Sequence, residues 1–350
     1  MRTDFIDKKI HVKSSCEYDV IIGRNLLKKA GKLISGVINP CKAVVITDDI
    51  VDRLYSETVI NSLNKEGFKT FKHVFSSGEQ NKNLETYSEI LDFMANSEIT
   101  RTDIVVALGG GVVGDIAGFV ATTYLRGIKF VQIPTTLLAQ IDSSVGGKTG
   151  IDLNSAKNLV GAFHQPSLVI CDIDALSTLS ERLIRQGMGE VAKYAILDEK
   201  IFNHIEYSFD DLDNLVYLCV DYKRKVVEED EFECGNRRLL NLGHTVAHGI
   251  EVFSGFKISH GDAVSMGVKV IINNSYRLKY ISKEECERML RVANKCSDCV
   301  LFKYTMKEVL GPVVYDKKRS GDNINLVMIH GVGDCRVEKV KLAKLAEYLV

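Results

Sequence analysis

Three groups of residues in this chain could do chemistry. The first is a glycine turn, Gly109-Gly110-Gly111-Val112-Val113-Gly114-Asp115, which follows an apolar run and opens a helical pattern reaching Tyr124. Without Cβ atoms a backbone can approach a pyrophosphate, and a helix N-terminus adds free N–H groups and the positive end of its dipole. The turn stands a hundred residues into the chain and lacks an acidic residue at the usual place beyond the next strand, so a tight strand-to-helix turn explains it equally well. Ten of the 27 glycines fall between Gly109 and Gly161, a density that suits a ligand lying close to backbone. Asp48 ends an apolar run where it could bond ribose hydroxyls, and Ser77 to Lys82 form a polar loop suited to a second nucleotide contact.

The second group is Glu190, His244 and His260, a two-histidine, one-carboxylate set that suits zinc and leaves a coordination position open for a substrate oxygen. His244 and His248 are four apart and share a helical face, so spacing leaves open which of them binds metal. The third is a set of cations, Arg126, Lys148, Lys157, Lys193, Lys223, Arg237, Lys317 and Lys318, several of them among glycines or polar turns. Gathered in one pocket, they would suit a substrate carrying both a carboxylate and a phosphate. Gly147-Lys148-Thr149 imitates the end of an NTPase phosphate loop, but Asp142 stands where that loop needs glycine, and its carboxylate would repel phosphates.

Apolar runs rich in Val and Ile predict buried strands at 19–22, 43–47, 103–108, 129–133 and 168–171, with helical periodicity at 50–63 and 84–94 between them. Strands separated by helices imply crossovers and a mainly parallel sheet. From about Thr178 helical patterns follow one another at 181–197, 211–229, 239–253, 260–278 and 282–295, and one strand-like run returns at 323–329. The expected organisation is an α/β domain over 1–179 and a mainly helical domain over 180–350, packed around a shared cleft.

Composition narrows the class. In 350 residues, 45% are hydrophobic and 26% charged, which excludes a disordered or low-complexity chain. Forty-five Lys and Arg against 46 Asp and Glu leave a net charge of -1, so no global field favours nucleic acid or an anionic membrane. The N-terminus lacks an apolar signal core, the apolar stretch 104–121 is broken by glycines and Asp115, and the nine cysteines are scattered, with Cys296-x-x-Cys299 lacking a second pair. A soluble, cytoplasmic protein with reduced thiols is expected.

Seven segments, in order along both halves, carry a family resemblance: 109–121, 133–152, 157–166, 187–197 (GMGEVAKYAIL), 241–251 (NLGHTVAHGIE), 259–264 (SHGDAV) and 315–318 (YDKK). With these the chain resembles the 3-dehydroquinate synthases, within the sugar phosphate cyclases, over nearly its whole length. The resemblance implies a Rossmann-like NAD-binding α/β domain followed by a mainly α-helical, metal-binding domain, in a homodimer. It implies a phosphate-eliminating lyase of the shikimate pathway, acting on 3-deoxy-D-arabino-heptulosonate 7-phosphate. The product is 3-dehydroquinate, reached by transient NAD-dependent oxidation, phosphate β-elimination, reduction, ring opening and aldol closure.

By the same resemblance Glu190, His244 and His260 hold Zn2+ or Co2+, and His248 falls to the substrate. NAD+ contacts are Asp48, Glu79, Lys82, Gly110, Gly111, Asp115, Thr135, Thr136 and Thr178, with Lys148 and Lys157 near the nicotinamide. Substrate contacts are Asp142, Lys148, Asn158, Lys193, Lys223, Arg237, Asn241, His248 and one of the pair Lys317 and Lys318. Arg126 reaches the phosphate of the neighbouring subunit. Gly189 stands where many members have alanine, and Ser180 replaces a common proline. Competing readings are the 2-deoxy-scyllo-inosose and 2-epi-5-epi-valiolone synthases, an aminodehydroquinate synthase, a metal-dependent glycerol-type dehydrogenase and a non-catalytic NAD-binding protein. A simple dehydrogenase needs fewer anion-binding cations, and a binding protein has no reason to keep both the metal set and the cations.

Overall fold

The computed structural model describes residues 8–153, 156–208, 211–297, 304–313, 319–320 and 322–349. Lys317 and Lys318, expected to include a substrate contact, lie outside the described residues. The chain divides into two compact units, one of Met1–Leu179 with Lys223–Glu231, the other of Ser180–Tyr222 with Phe232–Val350.

The first unit is built on a seven-stranded sheet. Its strands are β1 (Lys8–Val12), β2 (Tyr18–Gly23), β3 (Lys42–Asp48), β4 (Lys69–Phe75), β5 (Ile104–Gly109), β6 (Lys129–Pro134) and β9 (Leu168–Asp172), in the order β1-β2-β9-β6-β5-β3-β4. Only the edge strand β1 runs antiparallel to its neighbour. Strands buried on both faces need apolar residues at nearly every position, which is why the inner strands β3, β5, β6 and β9 read as Val/Ile-rich runs. Along β3 and β5, Ala43, Val45, Ile104, Val106 and Leu108 pack against helices α1 (Ala30–Ser35) and α2 (Glu57–Lys65). Val44, Ile46, Val105 and Ala107 point the other way, to α3 (Leu84–Asn96) and α4 (Gly111–Thr123).

The chain leaves β3 toward β4 on one side, then returns to lay β5 on the other, with Thr47 paired to Leu108. The carboxyl ends of adjacent strands whose connections diverge form the crevice where open α/β sheets bind ligands. Asp48 and the Gly109–Gly111 turn are the residues at those two ends.

A hairpin of β7 (Lys148–Leu153) and β8 (Ala156–Phe163) was not among the expected strands. It pairs Gly150 with Gly161, and a Cβ on Gly161 would lie 2.2 Å from the Thr149 carbonyl oxygen. Glycine facing glycine lets two backbones meet but carries no strand signature in sequence.

The second unit holds α5 (Glu181–Leu197), α6 (Glu199–Tyr207), α8 (His244–Phe253), α9 (His260–Arg277), α10 (Lys283–Cys296) and α11 (Met306–Val313). It ends in an antiparallel sheet of β10 (Arg319–Ser320), β11 (Asn323–Gly331) and β12 (Asp334–Lys341). Helix α7 (Leu212–Glu229) contributes to both units, and this departs from a single cut at residue 180. The cause is polar: Lys223 pairs with Asp142, Glu228 accepts from the Lys13 N–H at 2.8 Å, and Glu231 accepts from the Ser15 N–H at 2.8 Å and from Gln165 Nε2 at 2.8 Å. Among the described residues no helix is long and apolar enough to cross a membrane.

The helix expected over 239–253 is broken. A short 3-10 turn, Asn236–Asn241, precedes α8, and Gly243 between them takes φ +78. A Cβ there would stand 2.7 Å from the Val268 nitrogen, so the close passage of α9 requires glycine as well as the positive φ.

Candidate active site

In the first unit, polar residues gather in several groups at the carboxyl edge of the sheet. Asp48 caps the turn after β3, accepting from the N–H groups of Ile50 and Val51 at 2.9 Å each. Burial raises its pKa, and those two N–H donors restrain the rise. Gly110 caps α4, where a Cβ would come within 3.1 Å of Thr136, and a Cβ on Gly111 would meet Ser143 Oγ at 3.2 Å. Thr135 follows β6 directly, its N–H donating to the Gly109 carbonyl at 2.9 Å. The backbone at 109–111 therefore lies close to the Thr135–Ser143 stretch, and side chains there would fill the gap.

Lys82 is 3% exposed, a position a lysine holds only with partners. Its Nζ lies 2.5 Å from Asp115 Oδ2 and also donates to Asn158 Oδ1. Burial disfavours the charged lysine, but Asp115 and Glu79 outweigh it and its pKa is raised. Burial also raises Asp115, against the opposing pull of Lys82. The β7–β8 hairpin folds over this lysine: the Asp152 N–H donates to the Lys82 carbonyl at 2.8 Å, and Asp152 Oδ1 accepts from the Asn158 N–H at 2.6 Å. Asn158 takes φ +51, a conformation asparagine tolerates better than most residues. Lys157 lies 3.8 Å from Glu79, and Thr178 Oγ1 is 2.6 Å from the Tyr55 hydroxyl. Asp142 pairs with buried Lys223, whose Nζ also donates to the Asp142 carbonyl at 2.7 Å. Lys148 is exposed at the head of β7. Arg126, also exposed at φ +68 in the turn after α4, makes no ion pair among the described residues.

In the second unit, the site is set by helix crossings at glycine. A Cβ on Gly189 of α5 would lie 1.9 Å from the Gly261 carbonyl oxygen, and one on Gly261 of α9 would lie 1.9 Å from that of Gln186. The two backbones touch, and the next residue on α5 and the previous one on α9 are Glu190 and His260. His260 Nε2 stands 3.2 Å from Glu190 Oε1. A second contact, where a Cβ on Gly267 would lie 2.2 Å from the Gly243 carbonyl oxygen, brings the start of α8 against α9. His244 Nε2 there stands 3.7 Å from the same Glu190 oxygen.

The donor atoms of Glu190, His244 and His260 lie within 4.8 Å of one another. Each histidine directs its other ring nitrogen outward: His244 Nδ1 to the Leu242 carbonyl at 3.2 Å, His260 Nδ1 to Glu251 Oε2 at 3.3 Å. That arrangement leaves both Nε2 atoms as donors converging on a buried carboxylate, the chemistry of a divalent-cation site. The His260 pKa is pushed up to about 10: burial opposes its charge, but Glu190 and Glu251 prevail. Lys193, 1% exposed, lies 2.5 Å from Glu190 Oε2. His248 lies one turn along, its ring 5.8 Å from that of His244, and is not one of the three clustered donors. Arg237 is 1% exposed in the 3-10 turn, and Asn241 Nδ2 donates to Glu233 Oε1 at 2.5 Å.

Sequence reasoning missed Asp152, Glu233 and Glu251. Glu251 had a usable signal, a carboxylate in an apolar helix seven residues after His244 and three after His248, on one face. Asp152 and Glu233 had none, because their partners depend on the hairpin and on the break before α8.

Family models for the 3-dehydroquinate synthase N-terminal and C-terminal regions match residues 72–186 and 187–319. The chain is 42% identical over 345 residues to a 3-dehydroquinate synthase of Clostridium acetobutylicum, covering 95% of this chain and 96% of that protein. The chain belongs to the 3-dehydroquinate synthase family. Among solved structures it is similar to a 2-epi-5-epi-valiolone synthase of Streptomyces hygroscopicus with NAD+ and Zn2+ bound (TM-score 0.86, 25% identity, 98% of each chain). A 2-deoxy-scyllo-inosose synthase, complexed with carbaglucose-6-phosphate, NAD+ and Co2+, shares the fold at TM-score 0.86 and 23% identity, over 98% of this chain and 99% of that one. This chain carries a parallel sheet with an open switch point in one unit and, in the other, helix crossings at glycine that gather one carboxylate and two imidazoles.

Proposed function

We propose that this chain is a phosphate-eliminating lyase with 3-dehydroquinate synthase activity, acting on 3-deoxy-D-arabino-heptulosonate 7-phosphate with NAD+ and a divalent ion, Zn2+ or Co2+. The observation that carries the reading is the convergence of Glu190, His244 and His260, with outward ring nitrogens already engaged, in a chain 42% identical to a protein of that name. When bound, NAD+ supplies reversible hydride acceptance, and the divalent ion supplies polarisation of a substrate hydroxyl.

The remaining work belongs to side chains. Glu190, His244 and His260 would hold the ion. Asp48, Glu79, Lys82, Gly110, Gly111, Asp115, Thr135, Thr136, Lys157 and Thr178 would hold the dinucleotide. The buried cations Lys193, Lys223 and Arg237 already stand desolvated, so an anionic substrate gains strong charge-assisted hydrogen bonds without first stripping water from them. Lys223 reaches Asp142 now, and its transfer to a substrate oxygen would leave that carboxylate able to accept from a hydroxyl. Lys148, Asn158 and Asn241 would orient the ring, and His248 would carry protons among its hydroxyls, since imidazole titrates near neutrality. Arg126, exposed and unpaired with any described carboxylate, would serve a neighbouring subunit of a homodimer in the cytoplasm.

The test is incubation with the heptulosonate phosphate, NAD+ and Zn2+, following phosphate release with and without a chelator. Release that stops on chelation is expected, and metal-independent release or none would overturn the reading.

A further inference from the structure

Every ligand set needs something to aim it, and here the two histidines are aimed by different groups. His244 is held by a backbone carbonyl, Leu242, fixed where Gly243 breaks the chain before α8. His260 is held by a side chain: its Nδ1 lies 3.3 Å from Oε2 of Glu251, two turns along α8 from His244. Glu251 is 3% exposed, in a helix where Val246, Ala247 and Ile250 are fully buried. A carboxylate is costly in such a place unless its charge is engaged.

Glu251 accepts from Nδ1–H and aims the ring so that Nε2 faces Glu190 Oε1, 3.2 Å away; once a cation takes the place of the Nε2 proton, the same bond keeps the remaining proton on Nδ1 and leaves the Nε2 lone pair to the ion. The neighbouring carboxylate also makes the imidazole a stronger donor.

We infer that Glu251 is a positioning residue of the metal centre, orienting His260 and raising its affinity for a divalent cation without touching the ion. The inference rests on the proposed reading of Glu190, His244 and His260 as ligands. It assigns α8 a double task, supplying one ligand at its start and aiming another from its last turn.

The experiment measures Zn2+ affinity by competition with a chromophoric chelator, alongside thermal unfolding of the metal-free protein, for the unsubstituted chain, Glu251→Gln and Glu251→Leu. Glutamine keeps an acceptor and removes the charge; leucine removes both. Loss of such an outer-sphere partner costs roughly 10- to 100-fold in metal affinity. The expected result is Zn2+ affinity weakened by about 10-fold in Glu251→Gln and by up to about 100-fold in Glu251→Leu. Should the leucine variant fail to fold, the glutamine variant decides alone. Unchanged Zn2+ affinity in Glu251→Gln, with or without a change in unfolding temperature, would make Glu251 a packing residue only and overturn the inference. An unsubstituted chain without Zn2+ affinity would instead overturn the reading of the three ligands, and this inference with it.

Discussion

Substituting Gly261 by alanine places a methyl group where α5 and α9 leave no room. The added Cβ would lie 1.9 Å from the Gln186 carbonyl oxygen, 2.6 Å from its carbon and 2.8 Å from its Cα, all backbone atoms that no rotamer change can move aside. Relieving the overlap requires the helices to part by roughly 1 Å, and overpacking of this kind costs about 1–3 kcal/mol. The larger effect falls on the pair beside the crossing, Glu190 and His260, now 3.2 Å apart. Metal–ligand distances tolerate only about ±0.2 Å, so a displacement several times larger should weaken Zn2+ binding by at least about 10-fold. The measurements are thermal unfolding with and without Zn2+ and a Zn2+ competition titration. Gly311→Ala serves as the control, since nothing lies within 4 Å of its added Cβ. The crossing would have no role in the site if Gly261→Ala matched the control in both unfolding temperature and Zn2+ affinity.

Lys82→Met should leave half-buried Asp115 without its cation, destabilising the protein by about 1–3 kcal/mol and weakening NAD+ binding. Denaturant titration should show that loss shrinking toward acid pH, as Asp115 takes up a proton. Arg288 Nε and Nη2 grip Glu206, at 3.1 Å and 2.6 Å, and lower its pKa from 4.5. The stabilisation is therefore present above pH 4.5 and lost as pH falls through the lower folded value. Glu206→Gln should cost at most about 1 kcal/mol near neutrality and nothing once both states are protonated, a difference that stability measured across acid pH will reveal. Excess Zn2+ at 100 times its Kd should stabilise the folded chain by about 2.7 kcal/mol, and a chelator should reverse it. An unfolding temperature indifferent to both would contradict a metal site in the folded state.

The parallel sheet was readable from sequence because burial on both faces writes itself as continuous Val and Ile, as in Ala43–Ile46 and Ile104–Leu108. The β7–β8 hairpin was not, because its pairing rests on Gly150 against Gly161, and glycine has no side chain to declare a face. The break at Gly243 was hidden within an apolar periodic run, since only the passage of α9 makes it necessary. The same limit applied to the site. Spacing leaves His244 and His248 equivalent, one turn apart on one face; the helix crossings bring His244, with His260, to Glu190. Lys82, Lys193 and Lys223 were candidate ligand contacts, but nothing in the sequence declared their burial, because it rests on carboxylate partners 33, three and 81 residues distant.

The most direct measurement follows phosphate release and reduced nicotinamide together, with NAD+ supplied far below the concentration of heptulosonate phosphate. Many phosphates should be released per dinucleotide, with no lasting build-up of NADH, because the hydride returns to the carbon it left. One NADH accumulating for each substrate consumed, or release that halts once the NAD+ is spent, would contradict a recycled cofactor and make the chain an ordinary dehydrogenase.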